Sequence, residues 1–176
     1  MLMNDIIVEQ IVKKQKTAKD SLMAFGLVAL CVVLVAVLYM VVLPFVPQFS
    51  GIVFMLIALI VYYTYMIAGT FNLEYEYALV NYDLDIDKII AKKNRKKITY
   101  VDLKSVEAFG SKEAPEFDRY LNDESIIKVY ACRLKDAEDT RFLIYTENLQ
   151  KKMVLFSPSE ELSENIEKLC ARRLER

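Results

Sequence analysis

The chain has no histidine, no tryptophan, four glycines, four prolines and three cysteines in 176 residues. Each scarcity narrows the chemistry. Without histidine, the commonest general base and the commonest metal ligand are lost together. Gly26, Gly51, Gly69 and Gly110 stand too far apart to build a phosphate-cradling loop or a nucleophile elbow. Cys31, Cys132 and Cys170 form no C-x-x-C pair, which points to free thiols in a reducing compartment rather than a disulfide framework. Cys132 and Cys170 fit apolar positions of a strand and a helix, and as nucleophiles they would lack their usual base. No catalytic residue, cofactor or metal ligand is expected, and the chain reads as non-enzymatic. With 23 basic and 24 acidic residues the net charge is −1, so no global basic field recruits nucleic acid.

Charge is also missing locally. Ser21 to Gly69 contains no Asp, Glu, Lys or Arg, and Pro44 to Ser50 cuts it into two apolar pieces. Residues 21–43 span about 34 Å as a helix and residues 52–69 about 27 Å, against roughly 30 Å of bilayer hydrocarbon. Neither piece has the polar stripe of a soluble core helix. The run is too long for a cleaved signal peptide, and no small-residue cleavage site follows it. Phe45 and Phe49 in the connector, and Tyr62, Tyr63 and Tyr65 near the far end, sit where interfacial aromatics belong. Residues 21–69 are therefore expected to form a transmembrane helical hairpin. Lys13, Lys14, Lys16 and Lys19 precede it while the connector is uncharged, which places both termini in the cytoplasm by the positive-inside rule.

Residues 1–20 read as a cytoplasmic amphipathic leader, because Ile7 with Ile11 and Val8 with Val12 are spaced as helical neighbours. Such a helix would lie along the inner leaflet or extend the first span. From Thr70 onward the periodicity changes to alternation. Phe71 to Leu79, Asp83 to Ile90 and Ile98 to Leu103 read as strands, and Lys104 to Phe109 as a strand or helical turn. Ser111 to Glu124 reads as a long loop, either a flexible insertion or a contact surface. Ile126 to Leu134, Arg141 to Tyr145 and Lys152 to Phe156 are further strands. Ser157-Pro158-Ser159-Glu160 reads as the capped start of a helix with Leu162, Ile166, Leu169 and Cys170 on one face, Ser157 being the cap. Asp83, Asp85 and Asp87 imitate the opening of a calcium loop, but Lys88 and Asn94 stand where Gly and Glu are required, so they read as one solvated strand face.

The order strand, Asp83-Leu84-Asp85-Ile86-Asp87, basic turn, Lys97-Ile98-Thr99-Tyr100-Val101-Asp102-Leu103-Lys104-Ser105-Val106 resembles the opening of bacterial pleckstrin-homology-like (PH-like) domains. Met153 to Leu162, a strand running into a closing helix, resembles their ending. Two spans ahead of such a domain resemble small uncharacterised membrane proteins of Gram-positive bacteria. The resemblance covers about Phe71 to Leu174 and implies an antiparallel barrel or sandwich of six to seven strands with a C-terminal capping helix. It carries over no ligand. The expected architecture is thus a membrane α-helical hairpin plus an α+β domain over residues 70–176.

Lys92, Lys93, Arg95, Lys96 and Lys97 are the functional candidates. The first strand leaves the membrane and the second returns, bringing this basic turn back toward anionic lipid head groups of the bacterial plasma membrane. The expected role is a non-enzymatic scaffold or accessory protein that contacts the lipid bilayer, another membrane protein, or both. An oligomeric transport or channel component is the alternative, weakened because neither span holds an ionisable residue. A membrane-bound enzyme is the remaining class.

Overall fold

The computed structural model describes residues 6–134 and 137–174. The chain divides into two compact units, one of Lys16–Asn72 and one of Met1–Gln15 with Leu73–Arg176.

The first of these is the helical hairpin. Helix α1 (Ala18–Val37) starts at Thr17, whose hydroxyl accepts from the Asp20 N–H while the Asp20 carboxylate accepts from the Thr17 N–H. The helix widens into a π turn over Leu38–Val42, where the Leu43 N–H reaches back five residues to the Leu38 carbonyl. This lies next to Pro44, which has no N–H to offer the Met40 carbonyl. A short turn α2 (Leu43–Phe45) and a 3₁₀ turn (Pro47–Phe49) lead into α3 (Ser50–Gly69). Ala24, Leu27, Cys31, Val35 and Leu38 are partly buried at steps of three and four residues, as are Ile57, Ile60, Thr64 and Ala68 beside the buried Val53. These rows form the seam along which α1 and α3 pack. The remaining surface of both helices is apolar and open, including Phe25, Met40, Ile52 and Tyr65. Both helices are long and apolar enough to cross a membrane.

The second unit holds two four-stranded sheets. One has the order β1-β2-β3-β4, built from Ile7–Lys13, Leu73–Val80, Asp83–Ile90 and Asn94–Asp102. The other has the order β5-β7-β8-β6, from Val106–Ser111, Arg141–Glu147, Gln150–Phe156 and Ile127–Ala131. All pairs are antiparallel except β6 with β8. Tyr75, Tyr77, Leu79, Leu84, Ile86, Val101, Leu143, Tyr145, Val154 and Phe156 form the core between the sheets, closed by Leu162, Ile166 and Leu169 of α5 (Glu160–Leu174). The six to seven strands and capping helix are present, with one strand more.

That extra strand is β1, and it corrects the leader. Residues 7–13 form a strand paired along its length with β2, from Ile7↔Val80 to Lys13↔Glu74. The spacing that suggested a helix was ambiguous, since residues four apart also share a face of a strand. In the strand, Val8 and Val12 turn inward while Ile7 and Ile11 are exposed on the opposite face. Four β-branched residues in six favour the extended form once β2 supplies the partner. The hairpin is therefore an insertion between two paired strands of the domain.

The long loop also has a job. Its residues 117–122 form a short helix α4 (Phe117–Asn122), and Phe117 is buried against Phe142, ring centroids 5.6 Å apart. With Ile126, Cys132, Ile144, Met153 and Leu155 they make a second core on the outer face of the β5–β8 sheet. Phe142 to Tyr145 and Met153 to Phe156 are buried without alternation because that sheet is covered on both faces. Gly110 belongs to this layer, as a Cβ there would stand 3.2 Å from the Phe142 ring. The helix cap moves too. Ser159, not Ser157, accepts from the Leu162 N–H, while Ser157 is buried and its hydroxyl accepts from the Arg133 N–H.

Two hairpin turns hold residues at positive φ, Ala91 and Lys92 at 53° and 57°, and Asn148 and Leu149 at 51° and 65°; of these only Asn148 is a residue suited to that region. Leu149 is 100% exposed, so no packing offsets its left-handed backbone, which costs an L-residue about 1–2 kcal/mol. Leu149→Gly is expected to stabilise the domain by about 1 kcal/mol in urea unfolding, part of the relief being lost to the more flexible unfolded chain.

Candidate functional site

The five basic candidates fall at one end of the β1–β4 sheet. Leu73 pairs with Ile90 and Ile90 with Asn94, so the β3–β4 turn lies in line with the residues where the chain leaves for the hairpin and returns from it. Lys13 pairs with Glu74 at the same end, and the Lys14 N–H donates to the Leu73 carbonyl. The turn is only three residues long, closed by the Lys93 N–H on the Ile90 carbonyl. Lys92 and Lys93 are in it or at its margin, whereas Arg95, Lys96 and Lys97 are residues of β4, which begins four residues earlier than Ile98.

Their surroundings separate them further. Arg95 pairs with Glu76, Nη2 to Oε2 2.8 Å, on the outer face of the sheet. Lys97 pairs with Asp85 and lies 5.1 Å over the Tyr100 ring. The hydrogen bond to Asp85 is the main reason its ammonium titrates above the ordinary lysine value, desolvation opposing. Both are committed to neighbours. Lys96 instead sits directly opposite Lys88, a residue the sequence reading passed over. Like charges facing across strands destabilise a pair until an anion or solvent screens them. Strict alternation along Asp83 to Lys88 could have found it, since it puts Lys88 on the opposite face from the aspartates. The exposed cations of this end without an ion pair among the described residues are Lys13, Lys92, Lys93 and Lys96.

The three aspartates do share the outer face of β3, but in different states. Asp83 accepts from the Tyr100 hydroxyl, which pushes the phenol up to about 12. Asp85 is held by Lys97, and Asp87 Oδ1 is shut off from solvent with no hydrogen-bond partner among the described residues. The face is acidic toward Asp83 and Asp102 and basic toward Lys13 and Lys92, so the sheet is electrically polar along its strands.

Two four-stranded sheets around one core and a closing helix are one observation about kinship; a sequence comparison supplies the second. Residues 4–176 match the family described as bacterial PH-like domain (DUF6106). The chain belongs to that family. The match runs through the inserted helices, so the interrupted PH-like domain is one unit of sequence as well as of fold. No curated protein and no solved structure matches the chain. Within the PH-like domain, Tyr77 marks the centre, its hydroxyl donating to the Ala131 carbonyl and accepting from the Ser157 N–H at 3.2 Å. Burial raises its pKa well above the usual phenol range, and Tyr75 is raised for the same reason.

Proposed function

We propose that this protein is a membrane-anchored, non-enzymatic binding or accessory protein whose PH-like domain docks its basic end on anionic lipid head groups. The observation that carries the reading is the alignment of the β3–β4 turn with Lys13 and Leu73, the residues where the chain passes into and out of the hairpin. If α1 and α3 cross the bilayer, that end of the sheet is the end tied to the lipid surface. Pairing of β1 with β2 supports the same side for both ends of the hairpin, and the lysines of residues 13–19 support the cytoplasmic side. Each basic residue close to an anionic surface contributes about 1 kcal/mol, decaying over a Debye length of about 10 Å at moderate salt. The Lys88–Lys96 juxtaposition adds a reason for an anion to be welcome there.

The test uses the full chain in nanodiscs with and without phosphatidylglycerol, spin-labelled at residue 93. The label is expected to be protected from a water-soluble relaxation agent only with the anionic lipid. Protection should vanish in about 1 M salt, where the Debye length is near 3 Å, and in the variant Lys88→Gln/Lys92→Gln/Lys96→Gln. Equal accessibility in neutral and anionic discs would sink the reading.

A further inference from the structure

The edges of the two sheets are guarded unequally. Among the described residues the strands at an edge are β1, β4, β5 and β6. β4 carries Ile98 as a bulge and the exposed run Asn94 to Lys97, β5 carries a bulge at Glu107, and β6 is only five residues long. Bulges, charge runs and short length are the usual devices that keep a free edge from pairing with another chain. β1 has none of them. Its seven residues pair with β2 without a register shift.

The two ends of that pairing fix which way the β1 backbone points. The Lys14 N–H donates to the Leu73 carbonyl and the Asn81 N–H to the Ile6 carbonyl, so the even-numbered residues bond to β2. The N–H and C=O groups of Ile7, Glu9, Ile11 and Lys13 therefore point to the free edge, without a backbone partner there among the described residues. Gln15, next on that side, donates to the Arg133 carbonyl at 3.0 Å, which closes the open stretch after Lys13. The side chains of the same residues are exposed, Ile7 at 66% and Ile11 at 57%.

We infer that β1 pairs antiparallel with β1 of a second copy of this chain, about a two-fold axis through Ile11. The strand is self-complementary in that register. Ile11 meets the other copy's Ile11, and on either side of the axis Glu9 meets the other copy's Lys13, a favourable cross-strand pair. Centring on Gln10 would set Glu9 against Ile11, and centring on Glu9 would set two carboxylates face to face. Arg133 ends the ladder where Ile7 of one copy would reach Gln15 of the other. Two copies can share one bilayer when the axis stands along its normal. The contact needs no anionic lipid, so it stands or falls apart from docking of the basic end.

The test uses the full chain in phosphatidylcholine proteoliposomes, where the basic end meets no net lipid charge. Under mild oxidation Ile11→Cys is expected to form an intermolecular disulfide about tenfold faster than Ile7→Cys. Facing residues at position 11 lie within disulfide reach, while the two positions 7 would stand about 27 Å apart at about 3.4 Å per residue. The parent chain, with Cys31, Cys132 and Cys170, gives the background. Measured by fluorescence energy transfer on dilution into excess lipid, Glu9→Lys should weaken self-association about tenfold, two repulsive pairs replacing two attractive ones. Glu9→Lys/Lys13→Glu restores opposite charges and should recover the parent's association. Circular dichroism checks that each variant is folded. Equal crosslinking at positions 7 and 11, a double variant no better than Glu9→Lys, or a monomer at every dilution would overturn the inference.

Discussion

Removing residues 1–15 is expected to leave Leu73–Arg176 without a stable fold, although that segment contains seven of the eight strands. β1 closes one edge of the first sheet and buries Val12 to 3% exposure. It also carries Gln10, whose carbonyl oxygen accepts from the Ser159 N–H at 2.7 Å at the entry to α5. A buried valine contributes about 1.5–3 kcal/mol, and Val8 and Ile6 add partly buried surface. With the strand ladder lost as well, the penalty is about 5 kcal/mol or more, a large share of the 5–15 kcal/mol that holds a typical domain. The complementary experiment gains the fold back. Replacing residues 15–72 by Asn-Gly joins Lys14 to Leu73 in the register they already have, through a type I′ turn suited to two antiparallel strands. This spliced chain should be soluble, give dispersed amide resonances and unfold cooperatively in urea. A folded Leu73–Arg176 fragment, or an unfolded spliced chain, would refute the role assigned to β1.

The second large effect is expected in the core at Tyr77 and Phe156, whose rings meet edge to face 5.5 Å apart with neither side chain exposed. Phe156→Ala should cost about 3–5 kcal/mol, the usual range for a large aromatic removed from a packed site. Tyr77→Phe keeps the ring but orphans the Ala131 carbonyl and the Ser157 N–H, each costing about 1–3 kcal/mol when buried. The phenol also makes stability depend on pH. Its raised pKa means that the folded chain holds the proton more tightly than the unfolded chain, whose value is 10.0. Its contribution is therefore complete below pH 10 and is lost as the pH climbs above it, at about 1.4 kcal/mol per pH unit. Urea midpoints at pH 8 and above pH 10 should fall less steeply for Tyr77→Phe than for the parent. Parallel falls would mean that Tyr77 keeps no proton advantage in the fold.

The hairpin helices could be read from the sequence because forty-nine uncharged residues leave little else to form. β2, β3, β7 and β8 could be read because their patterns depend on neighbours close in the chain. β1 could not. Its own spacing suited helix and strand equally, and the partner that decided between them lies beyond the whole hairpin. The unbroken apolar run Phe142-Leu143-Ile144-Tyr145 was a usable signal that something covers both faces of that sheet. It did not say that the cover would be Phe117 and its helix, because that contact is tertiary. At the basic end, composition supplied the cations but register decided their fates. The β3–β4 pairing brings Lys97 to Asp85 and leaves Lys96 against Lys88, and a shift by one residue would have exchanged these partners.

An insertion between β1 and β2 makes the order of synthesis matter. β1 leaves the ribosome first and waits while residues 16–72 are made, roughly 3–12 s at usual elongation rates. On the proposed reading, the two helices enter the bilayer during that interval. A chain in which only one of them crosses leaves Lys13 and Leu73 on opposite sides of the lipid, where no ladder can join them. On that reading, completion of the PH-like sheet depends on both helices crossing, because only then do β1 and β2 lie on the same side of the lipid.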